Sequence, residues 1–253
     1  MSMFEIVFSP TGGTEKVSGL VTGALDGNIV TVDLSDSGLD FHGVSMAKGD
    51  VAVISVPSYA GRVPAVAVER LGMVRGNGAR AVLVCVYGGR AFEDTLIELE
   101  DVAKRAGFRV VAAVSAIAEH SVARQFAAGR PDAQDVAQLS EFAQRIRQKL
   151  LDGAASEPSI PGNRPYKQAG GHSMVPHATE DCVSCGACAA LCPVRAIDKD
   201  DPRQVDGEAC ISCMRCVSVC PQNARKLDPN KLAAVTQMLS KVCVVRKECE
   251  LFI

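Results

Sequence analysis

Eight of the chain's 11 cysteines lie between residues 182 and 220. They form two copies of Cys-x2-Cys-x2-Cys-x3-Cys-Pro: Cys182, Cys185, Cys188 and Cys192-Pro193, then Cys210, Cys213, Cys216 and Cys220-Pro221. Three thiolates on one tight loop reach three irons of a cubane, and the fourth, opening a short helix, turns toward the cubane of the other copy. That rule assigns one [4Fe–4S] cluster to Cys182, Cys185, Cys188 and Cys220, and a second to Cys210, Cys213, Cys216 and Cys192. Zinc is the alternative, but its sites usually separate two Cys-x2-Cys pairs by a longer spacer. Each proline withholds a backbone donor and helps turn the chain, and Gly186 lets the first loop wrap its cluster. The copies are offset by 28 residues, Cys182 onto Cys210, and the match continues from Ala196 onto Ala224. Cys85 falls in an apolar run and reads as a small hydrophobe. Cys243 and Cys249 lack ligand spacing and read as structural.

A second chemistry-bearing segment is Ser9-Pro10-Thr11-Gly12-Gly13-Thr14, between an apolar run and a helical stretch. Hydroxyls, converging backbone amides and the positive end of a helix dipole make such a junction a phosphate site. It lacks both Gly-x4-Gly-Lys-Ser/Thr and Gly-x-Gly-x-x-Gly, which disfavours ATP and NAD; an ordinary capped turn is the alternative. Two later loops, Pro57-Ser58-Tyr59-Ala60-Gly61-Arg62 and Tyr87-Gly88-Gly89-Arg90-Ala91-Phe92, combine aromatic residues with glycines. Tyrosines can stack on a flat ring and glycines admit close backbone approach. Arg62 and Arg90 offer charge to an anion, or are solvated surface groups. His120, in Glu119-His120-Ser121, is either a loop anchor or, with Tyr59 and Tyr87, a candidate proton donor.

The elements that must position these groups are legible in the first 151 residues. Apolar runs at Phe4–Phe8, Gly27–Leu34, Asp50–Val56, Arg80–Tyr87 and Phe108–Ile117 read as buried parallel strands. They alternate with helical stretches near 14–25, 64–74, 91–106 and 132–151. This pattern predicts a doubly wound α/β fold with a five-stranded parallel sheet of flavodoxin-like type. All three loops would then leave the carboxyl edge of the sheet, where ligands bind. The expected layout is a domain at 1–151, a proline- and glycine-containing connector at 152–178 lying against one domain or both, a small α+β ferredoxin-like domain at 179–227, and a helix with an extended tail at 228–253.

Net charge is −2, so no basic field is available for nucleic acid or an anionic membrane surface. The N-terminus has no basic segment followed by an apolar core, which argues against a signal peptide. The expectation is a cytoplasmic protein without nucleic-acid or membrane partners.

The Ser-Pro-Thr-Gly-Gly-Thr loop resembles the FMN phosphate loop of flavodoxins, and the whole chain resembles the fused flavodoxin–ferredoxin proteins of anaerobic bacteria. The resemblance implies that Ser9, Thr11, Gly12, Gly13 and Thr14 hold FMN phosphate, and that 57–62 and 87–92 flank the isoalloxazine. The chain departs from many flavodoxins in having no tryptophan and short, little-acidic ring loops. Together the two halves imply an electron relay between FMN and two [4Fe–4S] clusters, with a ferredoxin-like protein as donor or acceptor. The alternative is a flavin-dependent reductase of a small organic molecule. A redox sensor is a third class, for which no DNA-binding helix pair or signalling motif is present.

Overall fold

The computed structural model describes residues 2–25, 28–153, 156–171 and 173–253. Gly27, at the expected start of the second strand, and Ala154, Ala155 and His172 of the connector lie outside the described residues. Strands β1 (Met3–Val7), β2 (Ile29–Asp33), β3 (Val51–Pro57), β4 (Arg80–Tyr87) and β5 (Arg109–Ile117) alternate with helices α1 (Gly13–Gly23), α2 (Ala65–Met73), α3 (Thr95–Arg105) and α4 (Ala133–Leu151). These five strands are parallel in the order β2-β1-β3-β4-β5, the flavodoxin-like order. Successive side chains face opposite ways in a strand. Leu83 and Cys85 of β4 therefore join Leu71, Leu96 and Leu99 on the face covered by α2 and α3. Val82, Val84 and Val86 join Val17, Val21, Leu139 and Ile146 under α1 and α4.

Two expectations need correction. The stretch near 91–106 becomes helical only at Thr95, because Glu93 sits at φ 45° and breaks the register. The sheet has six strands rather than five. After α7 (Pro229–Val242) the tail returns as β8 (Glu250–Phe252), antiparallel to β5 through Ala113–Phe252, Val114–Leu251 and Ser115–Glu250. An unpaired β5 edge would expose a row of backbone donors and acceptors, and the tail covers part of it. Cys249 is buried there among the α4-side residues.

The connector lies along α3. Asp94, just before that helix, accepts the Asn163 amide at 2.8 Å and the Lys167 amide at 2.7 Å. Arg164 reaches Asp101 at 2.7 Å and Glu100 at 3.0 Å, Tyr166 bonds Asp101, and Lys167 bonds Glu93. Arg90 and then Lys167 hold the Glu93 carboxyl down at about 2, and the Lys167 amide and the Arg164 guanidinium lower Asp94 and Asp101. A carboxyl with a depressed folded-state pKa adds stability above its ordinary range and loses it as pH falls through the folded value. The clasp should therefore open between about pH 4.5 and pH 2. Brief pepsin digestion across that window is expected to cut first within 156–171; uniform cutting along the chain would contradict the clasp.

The end of the connector belongs structurally to the cysteine-rich module. Strand β6 (His177–Ala178) pairs antiparallel with β7 (Arg225–Lys226), and α5 (Ala187–Ala190) and α6 (Arg215–Ser218) follow the first and second cysteine loops. A two-residue strand carries no readable period, so the sequence alone does not show this pairing. The module's buried apolar cluster is small: Cys188, Ala189, Cys192, Ala196 and Ile197.

Candidate cofactor sites

The tight cysteine loops are built alike. Ser184 and Ser212 both take left-handed backbone (φ 51° and 54°), as do Gly186 and Met214 before α5 and α6. The amides of Ala196 and Ala224 donate to the fourth-cysteine sulfurs, Cys192 Sγ at 3.3 Å and Cys220 Sγ at 3.2 Å. Two cavities result. Cys182, Cys185, Cys188 and Cys220 line one, and Cys192, Cys210, Cys213 and Cys216 line the other. In each, the fourth cysteine comes from the opposite repeat. Among the described residues no three His, Cys, Asp or Glu side chains close on a single metal ion. Burial pushes the Cys213 thiol up to about 11 and that of Cys216 up to about 12, and bound iron would displace those protons. A buried Arg225 Nε, without an acceptor among the described residues, adjoins the first cavity. Four thiolates and an unpartnered buried donor fit an anionic iron–sulfur group.

A larger cavity of about 410 Å³ opens at the carboxyl edge of the sheet. Pro10, Thr11, Gly13 and Thr14 contribute from the loop before α1; Pro57, Ser58, Tyr59, Ala60 and Arg62 follow β3; Tyr87 and Gly88 close β4; and Glu119, His120 and Ser121 follow β5. Gly12 takes φ 84° at the start of α1, and the first amides of a helix have no partner within it. Ser9 Oγ accepts the Glu15 amide at 2.9 Å, and the Ser9 amide donates to Ser35 Oγ at 3.1 Å. Ser9 thus fastens the loop from behind and does not line the cavity.

Several of the residues expected to flank the ring are engaged by other side chains. Arg62 Nε and Nη2 each bond Glu98 at 2.7 Å, and Nη1 donates to the Lys167 carbonyl. Arg90 is paired with Glu93 at 2.8 and 2.9 Å. Both guanidiniums are committed to carboxylates, so neither is a free charge for a bound anion. Tyr87 is buried against Phe92, with centroids 5.5 Å apart and planes tilted by 59°. Phe92 is partly buried against the core, and Gly61, Gly89, Arg90 and Phe92 lie outside the cavity lining. Gly88 is required by crowding: a Cβ there would stand 2.5 Å from His120 Cδ2.

His120 Nδ1 accepts the amides of Val122 and Ala123, both at 3.2 Å, which leaves Nε2 to carry the proton. Burial, and then the charge of Arg90, lower its pKa. Burial, and then proximity to Cys213, raise the Tyr59 hydroxyl well above the ordinary tyrosine value. That proximity was not legible in sequence. Neither were five further wall residues: Ala169, Gly170 and Gly171 of the connector, and Ile211 and Ser212 from the second cysteine loop. Ser212 Oγ is buried without a hydrogen-bond partner among the described residues. Arg215 of α6 crosses to the Ser9 carbonyl at 3.5 Å, Arg70 bonds the Pro193 carbonyl at 2.5 Å, and Arg195 bonds the Ser37 carbonyl at 2.6 Å. These contacts seat the cysteine module on the cavity. The sequence anticipated only that the connector would lie against one domain or both.

Residues 174–221 match a family model described as a 4Fe-4S dicluster domain. Solved structures similar to the other part include a Streptococcus pneumonia TIGR4 flavodoxin, at 20% identity over 58% of this chain and 99% of that one, with a TM-score of 0.40. Another is a Megasphaera elsdenii flavodoxin, at 16% identity over 56% of this chain and 98% of that one, TM-score 0.39. Flavodoxin 1 from Bacillus cereus gives 13% identity, 58% and 98% coverage, and a TM-score of 0.43. No curated protein matches. The strand order and the cysteine motif define the class: a flavodoxin-like domain fused to a 4Fe–4S dicluster domain, the architecture of an iron–sulfur electron-transfer protein. No helix among the described residues is long and apolar enough to cross a membrane.

Proposed function

We propose that the chain binds FMN in the large cavity and two [4Fe–4S] clusters on the eight motif cysteines, and relays electrons among them. When bound, FMN handles electrons singly or in pairs and each cluster handles one. The observation that carries this reading is the shared wall. Loop 10–14, Tyr59, Gly88 and His120 line the same cavity as Ile211 and Ser212, which lie between cluster ligands Cys210 and Cys213. In this reading Thr11, Gly13 and Thr14, with the first amides of α1, hold the phosphate. Tyr59 presents an apolar ring beside the flavin, and Ser212 Oγ gains a partner. His120 keeps its proton on Nε2 and donates a hydrogen bond.

Carrier is favoured over reductase because none of the three side chains proposed as proton donors, Tyr59, Tyr87 and His120, is poised to give up a proton. Tyr59 and Tyr87 are shifted further from neutrality, and His120 is held neutral with Nδ1 tied to its own loop. Entry for a redox protein falls at the other cluster, where Cys185 is exposed and Val183 is 65% exposed. The resulting order is partner, outer cluster, inner cluster, FMN.

Oxygen-free purification should give about eight irons and one FMN per chain. Photoreduction of the flavin should then bleach the cluster absorbance at a rate independent of protein concentration. Eight irons with no flavin retained, even after FMN is added, would overturn the flavin half of the proposal.

A further inference from the structure

The two cysteine repeats agree down to single hydrogen bonds and then diverge at one buried position. The amides of Ala196 and Ala224 make the same bond to the fourth cysteine of their repeats. The next residue is Ile197 in the first copy and Arg225 in the second, and both are buried, at 4% and 2% exposed. Arg225 is thus a full charge where the sister repeat has an alkyl side chain. Its Nη2 donates to the Pro202 carbonyl and lies 3.6 Å from Cys188 Sγ, and Nη1 reaches the Pro176 carbonyl at 3.4 Å. Its Nε has no acceptor, and no ion pair to Arg225 occurs among the described residues.

A buried guanidinium without a carboxylate is costly unless something anionic stands beside it. What stands beside it is the cavity of Cys182, Cys185, Cys188 and Cys220, whose lining includes Arg225 itself. Cluster potentials respond to net charge, hydrogen bonds to sulfur and solvent exposure. A fixed positive charge and an N–H directed at a ligand sulfur favour the reduced form, which carries one more negative charge. The other cavity has Ile197 at the equivalent place; the Arg225 charge also reaches Cys210 and Cys216 there, but its contact with a sulfur is to Cys188.

We propose that Arg225 sets the two clusters apart in potential, raising that of the outer cluster on Cys182, Cys185, Cys188 and Cys220 relative to the inner one. This rests on the two-cluster reading above and makes the outer cluster the place where a single electron resides. Arg225 acts through the sulfur of Cys188 and the charge it adds; it is a positioning residue for charge, not a catalytic one.

The test is an EPR-monitored reductive titration of the full chain, with iron assayed on each sample. Wild type should show two one-electron steps. Arg225→Ile, which gives the second repeat the residue of the first, should weaken reduction of the outer cluster about tenfold, equivalent to about 59 mV for a one-electron couple. Arg225→Lys, which keeps the charge, should keep the steps apart. Three results would overturn the proposal: wild-type clusters that titrate together, an iron-replete Arg225→Ile protein with unchanged separation, or an Arg225→Lys protein whose steps merge. If Arg225→Ile sheds iron, the wild-type and Arg225→Lys titrations still decide. Fewer than eight irons in wild type would instead count against the two-cluster reading.

Discussion

Stripping iron from the chain should unfold residues 174–227 and leave the sheet of β1–β5 intact. Ordering some 50 residues costs about 1–2 kcal/mol of backbone entropy each. Against this the module buries only Cys188, Ala189, Cys192, Ala196 and Ile197 as an apolar cluster. Two of those five are themselves assigned ligands. Arg225 would be left buried without an anion, and Cys213 and Cys216 would sit protonated at the second cysteine cavity. Domains this small usually depend on metal for their stability. The flavodoxin-like domain has two extensive apolar layers of its own, one on each face of the sheet. Hydrogen exchange read by mass spectrometry, before and after anaerobic chelation, should therefore show protection lost in 174–227 and retained in β3, β4 and β5. Loss of protection in both parts together would mean that the interface, rather than the clusters, holds the module. Cys220→Ser gives a sharper version of the same experiment. Iron should fall from about eight to about four per chain, and the surviving cluster should be the one on Cys192, Cys210, Cys213 and Cys216. Loss of the cluster on 210, 213 and 216 instead would show that the fourth ligand is not exchanged between repeats.

Gly88→Ala should weaken FMN binding about tenfold or more while leaving the clusters in place. The added Cβ would stand 2.5 Å from His120 Cδ2, 2.7 Å from its Cβ and 2.8 Å from its Cγ. The imidazole cannot simply swing away, because Nδ1 is held by the amides of Val122 and Ala123. The strain must pass into the loop at 119–122, which forms one side of the large cavity. Overpacking of this kind costs about 1–3 kcal/mol, and each 1.4 kcal/mol is about tenfold in affinity. Flavin fluorescence titration measures the effect directly, and the iron content should not change. Removing the ring as well, in Gly88→Ala/His120→Ala, should recover most of the lost affinity. Failure of the double variant to recover would place the effect in the Gly88 backbone rather than in its contact with the ring.

Much of this protein was determined by the sequence because the relevant physics is local. Thiolate spacing within one loop favoured cubane chemistry over zinc, in line with the 4Fe-4S dicluster match at 174–221, and the fold sets each fourth cysteine in the cavity of the other repeat. Short Val- and Ile-rich runs alternating with helical stretches decide a parallel sheet covered on both sides. Hydroxyls and glycines between β1 and α1 marked a candidate anion site by their types, and the fold sets Thr11, Gly13 and Thr14 in the wall of the large cavity. The tertiary structure decided which side chains remain available. Arg62 and Arg90 read as charges for an anion or as solvated surface groups; the fold pairs them with Glu98 and Glu93. Tyr87 and Phe92 turned out to pack on each other, since a residue's face in a buried strand end depends on the layer above it. The tail's pairing with β5, the connector's path along α3 and the approach of Ser212 and Cys213 to Tyr59 all join residues more than 60 positions apart. Contacts at that separation leave no periodic trace in the chain, because they arise from the docking of one finished surface on another. The same reason hid Arg225: an arginine after Ala224 reads as surface until the fold buries it beside Cys188.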